Sequence, residues 1–173
     1  MAHLKNGQKC SHLWRVSHDP TNSSRHSMAM RFIKREPDFV IGGKDNPYLL
    51  RWWIIPRNRF FNIYLHKFLR DDDDRALHDH PYVSCSIILK GGYIEHMPYG
   101  WHYRHTGQII FRRAKQAHRI QLLRTGDRVL PAWSLFITGP RIREWGFHCK
   151  HGWVHWKIFT ASDDKGAVGR GCD

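Results

Sequence analysis

The sequence predicts an all-β protein with a single folded domain, and three observations support this prediction. From Tyr48 onward, short runs of β-branched and aromatic residues alternate with Gly, Pro and Asp, which is typical of strands. No long amphipathic helix separates these runs, which favours a sandwich or a barrel. With 173 residues, of which 41% are hydrophobic, the chain can bury one core but not two ordinary ones.

The candidate strands divide the chain into three parts. We predict an N-terminal arm over residues 1–47, partly irregular with a short helical turn at 28–34, a β domain over 48–160, and a flexible tail over 161–173. The predicted strands are Leu49–Ile55, Phe60–Phe68, Tyr82–Leu89, Gly92–His96, Gln108–Phe111, His118–Leu123, Trp133–Ile137 and Trp153–Phe159.

The charge of the chain is strongly positive. A net charge of +13 and a pI near 10 attract polyanions, but the Lys and Arg residues are spread along the chain. Nucleic acid is therefore a candidate partner on net charge alone. The acidic run 71–74 is interpreted as a solvated loop.

Cysteine usage and hydropathy indicate the compartment. Cys10, Cys85, Cys149 and Cys172 form no C-x-x-C pair, which predicts free thiols rather than a disulfide framework. No apolar run approaches the roughly 18 to 20 residues that span a bilayer, and the first residues lack the apolar segment of a secretory signal. We therefore expect a cytoplasmic protein without a membrane partner.

A pair of histidines is the most informative motif. In an extended chain, residues two apart point to the same side, so His78 and His80 can grip one ion. His118, at the start of a later predicted strand, is placed to add a third nitrogen. Three neutral imidazoles leave coordination positions open, and such a site suits Fe(II), Zn, Ni or Mn.

At this point the chain resembles the cupin superfamily, whose first motif reads H-x-H, three or four residues, Glu, six residues, Gly. His78, His80 and Gly92 match it, and His118 corresponds to the histidine of the second motif. Cys85, or Ser84 if the shorter spacing holds, takes the place of the glutamate. The resemblance implies a double-stranded β-helix, or jelly-roll, barrel with a short helical or irregular N-terminal segment. It also implies a homodimer.

The metal motif is similar to that of cysteine dioxygenase-like thiol dioxygenases, which also have Cys at the glutamate position. That resemblance implies a three-histidine Fe(II) site with Cys85 and Ser134 as catalytic residues. Phe136 and Thr138 replace the His and Tyr that follow the serine in that family, so cysteine is not expected as the substrate. The segments 138–141 and 143–148 resemble uncharacterised cupins of bacteriophages and bacteria, which would place a phage-encoded protein in the host cytoplasm.

Further residues are candidates for the site. His102 is a candidate acid or base, because imidazole titrates near neutral pH. Arg57, Arg59 and Tyr64 are candidates for binding an anionic substrate, since a guanidinium holds carboxylate or phosphate with two hydrogen bonds. Glu95 is a candidate fourth metal ligand.

The favoured function is a mononuclear non-haem Fe(II) dioxygenase that acts on a small, anionic molecule. Two alternatives remain open from the sequence. One is a metal-dependent isomerase or hydrolase acting on a sugar or a phosphorylated compound, and the other is a non-catalytic cupin that binds a ligand or nucleic acid.

Overall fold

The computed structural model describes residues 36–43, 45–72, 76–160 and 169–173. Within these ranges the regular structure is nearly all β, as predicted. The strands are β1 Phe39–Ile41, β2 Leu49–Trp53, β3 Asn62–Phe68, β4 Leu77–His78, β5 Ser84–Lys90, β6 Gly92–Met97, β7 Gly100–His105, β8 Ile109–Arg112, β9 Arg119–Leu122, β10 Arg124–Thr125, β11 Arg128–Val129, β12 Ala132–Thr138, β13 Gly146–Cys149 and β14 Gly152–His155, followed by helix α1, Trp156–Phe159.

The strands pair antiparallel within each sheet, and the sheets form two facing layers. One layer is a six-stranded sheet in the order β1-β2-β3-β12-β5-β8, and the other consists of the three-stranded sheets β7-β6-β9 and β14-β13-β4. Phe68 and Ile88 of the large sheet share one buried cluster with Tyr93 and Leu122 of the second layer. Strands distant in sequence are therefore neighbours, as in the double-stranded β-helix that the resemblance implied.

Strand β12 shows how the side-chain pattern places the inner face. Ala132, Ser134, Phe136 and Thr138 are buried, while the residues between them are half-buried on the other side. Phe136 lies opposite Tyr64 on β3 and opposite Ser86 on β5. Because strand side chains alternate between faces, the inward residues of β3, β5 and β12 face one common interior.

The last predicted strand is only half correct. The segment Trp153–Phe159 begins in β14, but from Trp156 it turns into α1. The side chain of His155 accepts a hydrogen bond from the backbone N–H of Lys157 and caps this short helix. The large sheet also begins earlier than predicted, because β1 lies within the segment interpreted as an arm. The predicted helical turn at 28–34 lies outside the described residues.

The cysteine prediction is wrong for two residues, since Cys149 and Cys172 form a disulfide. The backbone N–H groups of Gly169 and Gly171 donate to the carbonyl of Phe159, which folds the chain end back toward β13. Residues 169–173 are therefore in contact with the folded domain, and residues 161–168 lie outside the described ranges. Cys85 is a free thiol, and Cys10 also lies outside the described residues.

No helix in the described part of the chain has the length and apolar character needed to cross a membrane.

Candidate metal centre

The three predicted metal-binding histidines come together at one end of the interior. His78 ends β4, and its backbone exchanges two hydrogen bonds of 2.9 Å with the backbone of His118. His80 follows two residues later, and its backbone N–H donates to the carbonyl of Ala114. Backbone pairing thus brings together histidines that are far apart in the chain.

The spacing of the ring nitrogens fits a shared ion. One nitrogen of each of His78, His80 and His118 lies within 4.8 Å of the others, and the Nε2 atoms of His80 and His118 are 2.9 Å apart. Two imidazole nitrogens that each bind one ion at ~2.1 Å must be less than about 4.2 Å apart. The closest pair meets this limit, and small movements of the rings from a spread of at most 4.8 Å would let the three side chains hold one metal ion.

In two of these histidines, a carboxylate lies close to the Nδ1 atom. Asp72 Oδ2 lies 3.0 Å from His78 Nδ1, and Glu95 Oε1 lies 2.8 Å from His118 Nδ1. A carboxylate on Nδ1 fixes the ring orientation and leaves Nε2 available for a metal. Asp72 belongs to the run that we interpreted as a solvated loop, and no pattern in the sequence indicates this role.

The electrostatic surroundings keep two of the rings neutral. Burial lowers the pKa of His118 to about 4, with the Glu95 hydrogen bond opposing that shift. Burial and the neighbouring histidines lower the pKa of His80 well below its usual value. Burial also lowers the pKa of His78, but Asp72 raises it more, so that the net shift is upward. Neutral imidazole is the form that binds metals.

Glu95 does not belong to the group of metal-ligand atoms, which corrects the prediction of a fourth ligand. Its carboxylate is completely buried and accepts hydrogen bonds of 2.6 Å from Arg104 Nε and Arg112 Nε. Arg112 also donates to Ser86 Oγ at 2.8 Å. Both oxygens of Glu95 are therefore engaged, and the residue orients His118.

Asp79 lies between His78 and His80 in the chain, and its side chain points away from the candidate metal site. Its carboxylate accepts hydrogen bonds from the backbone N–H of Gly146 and from Trp153 Nε1, and it pairs with Arg143. The backbone N–H of Asp79 donates to the carbonyl of Gly146. These hydrogen bonds and this ion pair attach the segment 78–80 to the hairpin β13–β14.

Cys85 is misplaced for the predicted catalytic role. Ser84, Ser86 and Ile88 are the buried residues of β5, so Cys85 faces the outside of the sheet, opposite Phe111. The structure favours the shorter spacing of the motif. Ser84 then takes the glutamate position, and Gly91, whose φ of 74° suits glycine, ends the motif.

A cavity of about 500 Å³ has the three histidines in its wall. Of the remaining predicted site residues, some line this cavity and others do not. Arg57 lines this cavity, and its guanidinium lies 5.6 Å from the ring of Trp53. Four others do not line it, which corrects their predicted roles. They are Arg59 and His102, which are exposed, and Ser134 and Tyr64, which are buried in the sheet interior.

Arg51 is a cavity residue that sequence reasoning missed. It lies in the middle of β2, donates from Nε to His66 Nε2 at 2.9 Å, and rests 4.8 Å from the centre of the Tyr64 ring. Burial lowers its pKa. The signal in the sequence was an arginine within the apolar strand Leu-Leu-Arg-Trp-Trp, where β alternation allows an inward position.

Comparison with known proteins gives structural similarity only. No protein-family model matches the chain, and no curated protein matches it. Among solved structures, a protein with a double-stranded β-helix domain from Klebsiella pneumoniae is 12% identical, covering 62% of this chain and 90% of that one, with a TM-score of 0.45.

Two further solved structures are similar. A cupin superfamily protein from Desulfitobacterium hafniense is 15% identical over 58% of this chain and 84% of its own, with a TM-score of 0.44. A DMSP lyase from Ruegeria pomeroyi is 14% identical over 61% of this chain and 52% of its own, with a TM-score of 0.45. The strands described above form an all-β arrangement of antiparallel sheets, and its three histidines could hold one metal ion.

Proposed function

We propose that this protein is a mononuclear non-haem metal enzyme that binds Fe(II) through His78, His80 and His118 and oxygenates a small anionic substrate. The arrangement of neutral imidazoles beside a cavity supports a metal with open coordination positions. When bound, the metal would supply those positions to O₂ and substrate.

The observation that carries the anionic part of this proposal is the environment of Arg51. Among the residues that the structure describes, no carboxylate pairs with this guanidinium, whose polar contact is the neutral ring of His66. Arg51 is half-buried at the cavity wall, and a charge that is partly removed from water without a partner is costly. A carboxylate or phosphate entering the cavity would relieve this cost, because a guanidinium binds such groups with two hydrogen bonds.

The other side chains of the cavity favour the same class of substrate. Arg57 and Arg70 add positive charge to the wall beside Arg51, while Asp72, a carboxylate in the lining, is engaged with His78. Tyr48 and Tyr82 keep their hydroxyl protons, because burial raises the pKa of both. The site therefore offers positive charge and hydrogen-bond donors, and its many aromatic side chains exclude bulk water.

Metal analysis of the protein purified without chelator is the first test. We expect close to one equivalent of iron in the unaltered protein and loss of the metal in His80→Ala and His118→Ala. Zn, Ni or Mn in stoichiometric amount would retain the metal site but remove oxygenation by iron. Absence of any stoichiometric metal would refute the proposal.

Turnover then tests the reaction and the anion site. Oxygen uptake is measured with a panel of small carboxylic and phosphorylated compounds, comparing Arg51→Met with Arg59→Met. Arg59 is a matched control, because its guanidinium lies over the exposed ring of Phe60 outside the cavity. We expect Arg51→Met alone to lose activity. Metal-dependent conversion without oxygen uptake would replace oxygenation by isomerisation or hydrolysis.

A further inference from the structure

An aromatic wall formed by Trp145, Phe147, Trp156 and Phe159 encloses one side of the cavity. All four residues line it. The rings of Trp145 and Trp156 stack with centroids 5.7 Å apart and planes 5° from parallel, and Phe147 stacks on Phe159 at 3.6 Å and 10°. The rings thus form a continuous apolar surface that comes from the C-terminal part of the chain.

This wall and Arg51 lie on opposite sides of the three histidines. The ring of His78 is 6.4 Å from Trp145 and 5.9 Å from Phe147. On the other side, the ring of His80 is 6.0 Å from Phe136 of the large sheet. Phe136 stacks at 5.0 Å on His66, whose Nε2 accepts the hydrogen bond of Arg51. A ligand held by Arg51 can therefore extend past the histidines toward the wall.

The size of the cavity leaves room for a ligand that extends that far. A volume of about 500 Å³ falls within the range of pockets that enclose ligands of drug size. A short acid of roughly six non-hydrogen atoms would leave the accessible parts of Trp145 and Trp156, which are half-buried, in contact with water. Burial of apolar surface is the main source of binding free energy. A flat apolar group would cover the wall.

The wall is also held in place before any ligand binds. Asp79 fastens Gly146 and Trp153 to the histidine strand. On the far side, the disulfide between Cys149 and Cys172 closes the same region, next to the buried ring of Phe159. A rigid surface gains affinity because little ordering is needed on binding.

We propose that the substrate is an anion with a flat apolar or aromatic body, whose charge binds Arg51 and whose body packs on the aromatic wall. This inference rests on the proposed function for the role of the cavity and names the class of molecule that the site accepts. It assigns specificity to the wall, because the positive side chains by themselves would accept any small anion.

The test uses 2-naphthoate, its neutral amide and butyrate as probes, with isothermal titration of the protein as purified. We expect 2-naphthoate to bind more than about 10-fold more tightly than butyrate, since the ring adds buried apolar area. We expect the amide to bind at least about 10-fold more weakly than 2-naphthoate, because it cannot form an ion pair with Arg51. Equal affinities for the two acids, or for the acid and its amide, would refute the proposal.

Variants locate the binding. Trp145→Leu should weaken 2-naphthoate binding about 3- to 10-fold, the range expected for one lost aromatic contact, and leave butyrate binding unchanged. Trp101→Leu is the matched control, because that ring is exposed on β7 and does not line the cavity. Trp156→Leu replaces Trp145→Leu if the latter does not fold. Equal effects of the wall variant and the control would overturn the assignment.

The two proposals can fail separately. Metal content is measured on the same samples, so binding of 2-naphthoate by a protein without stoichiometric metal would refute the proposed function and leave the anion site. A stoichiometric metal together with no preference for 2-naphthoate would refute only the inference about the wall.

Discussion

Replacing Glu95 by Gln tests whether this buried carboxylate organises the metal centre. The substitution keeps the shape of the side chain but removes the charge that neutralises Arg104 and Arg112, and it weakens the contact with His118 Nδ1. The carboxylate is completely buried, and Arg112 is 2% exposed. Breaking one partner of a buried ion pair costs about 3 to 5 kcal/mol because the other charge is left uncompensated. Loss of a carboxylate that orients a metal-binding histidine typically weakens metal affinity about 10- to 100-fold.

Urea unfolding and metal titration measure the two effects on the same protein. The control is Glu144→Gln, since Glu144 is exposed and pairs with Arg141 and His155 at the surface. We expect this variant to match the unaltered protein in both measurements, because exposed ion pairs contribute little. If Glu95→Gln had the unfolding free energy and metal affinity of the control variant, the reasoning about the buried network would be refuted.

Three further predictions concern stability. Burial and Arg51 lower the pKa of His66 well below its unfolded value near 6.5. The unfolded state therefore binds more protons, and the free energy of unfolding should fall as pH decreases below about 6.5. When this free energy is measured by urea unfolding at several pH values, its slope against pH should be shallower by about 1.4 kcal/mol per pH unit in His66→Gln, and an unchanged slope would contradict the assignment. Cys172→Ser opens a loop with a sequence separation of 23 residues and should lower the unfolding free energy by about 3 kcal/mol when no reductant is present. In dithiothreitol the variant and the unaltered protein should have the same unfolding free energy. A difference that persists in dithiothreitol would argue against the disulfide. In Gly146→Ala, a Cβ would overlap the carbonyl oxygen of Val154, so we expect a loss of about 1 to 3 kcal/mol in thermal unfolding. Gly139→Ala is the control, because a Cβ there would meet the side-chain end of Val83 at 3.1 Å and no positive φ adds strain; an equal loss in both variants would contradict the assigned overlap.

The metal-binding set is where sequence and structure agree most closely. His78 and His80 share a side because residues two apart in an extended chain do so, a property of the backbone that needs no tertiary information. His118 was placed by its order in the chain and by resemblance, and the paired backbones of residues 78 and 118 provide the contact.

Other assignments failed because they depended on which face of a strand points inward. Cys85 and Ser84 are adjacent, and a shift of one residue exchanges the inner and outer faces. The motif spacing allowed both choices, and the pairing of β5 with β8 and β12 selected Ser84. Glu95 was expected as a ligand because its position and chemistry allowed it, but Arg104 and Arg112 reach it from other strands.

The sequence by itself determined the all-β class, the positions of most strands and the three histidines, because these follow from periodicity and from spacing within short segments. Which residues surround the three histidines was decided only by tertiary structure. Arg51, Asp72 and the aromatic wall meet the histidines through strand pairings between residues far apart in the chain, and the disulfide forms because the chain end returns to β13. The pattern of residues within a short segment does not predict contacts between distant segments. The free energy that selects those contacts comes from packing the two layers together.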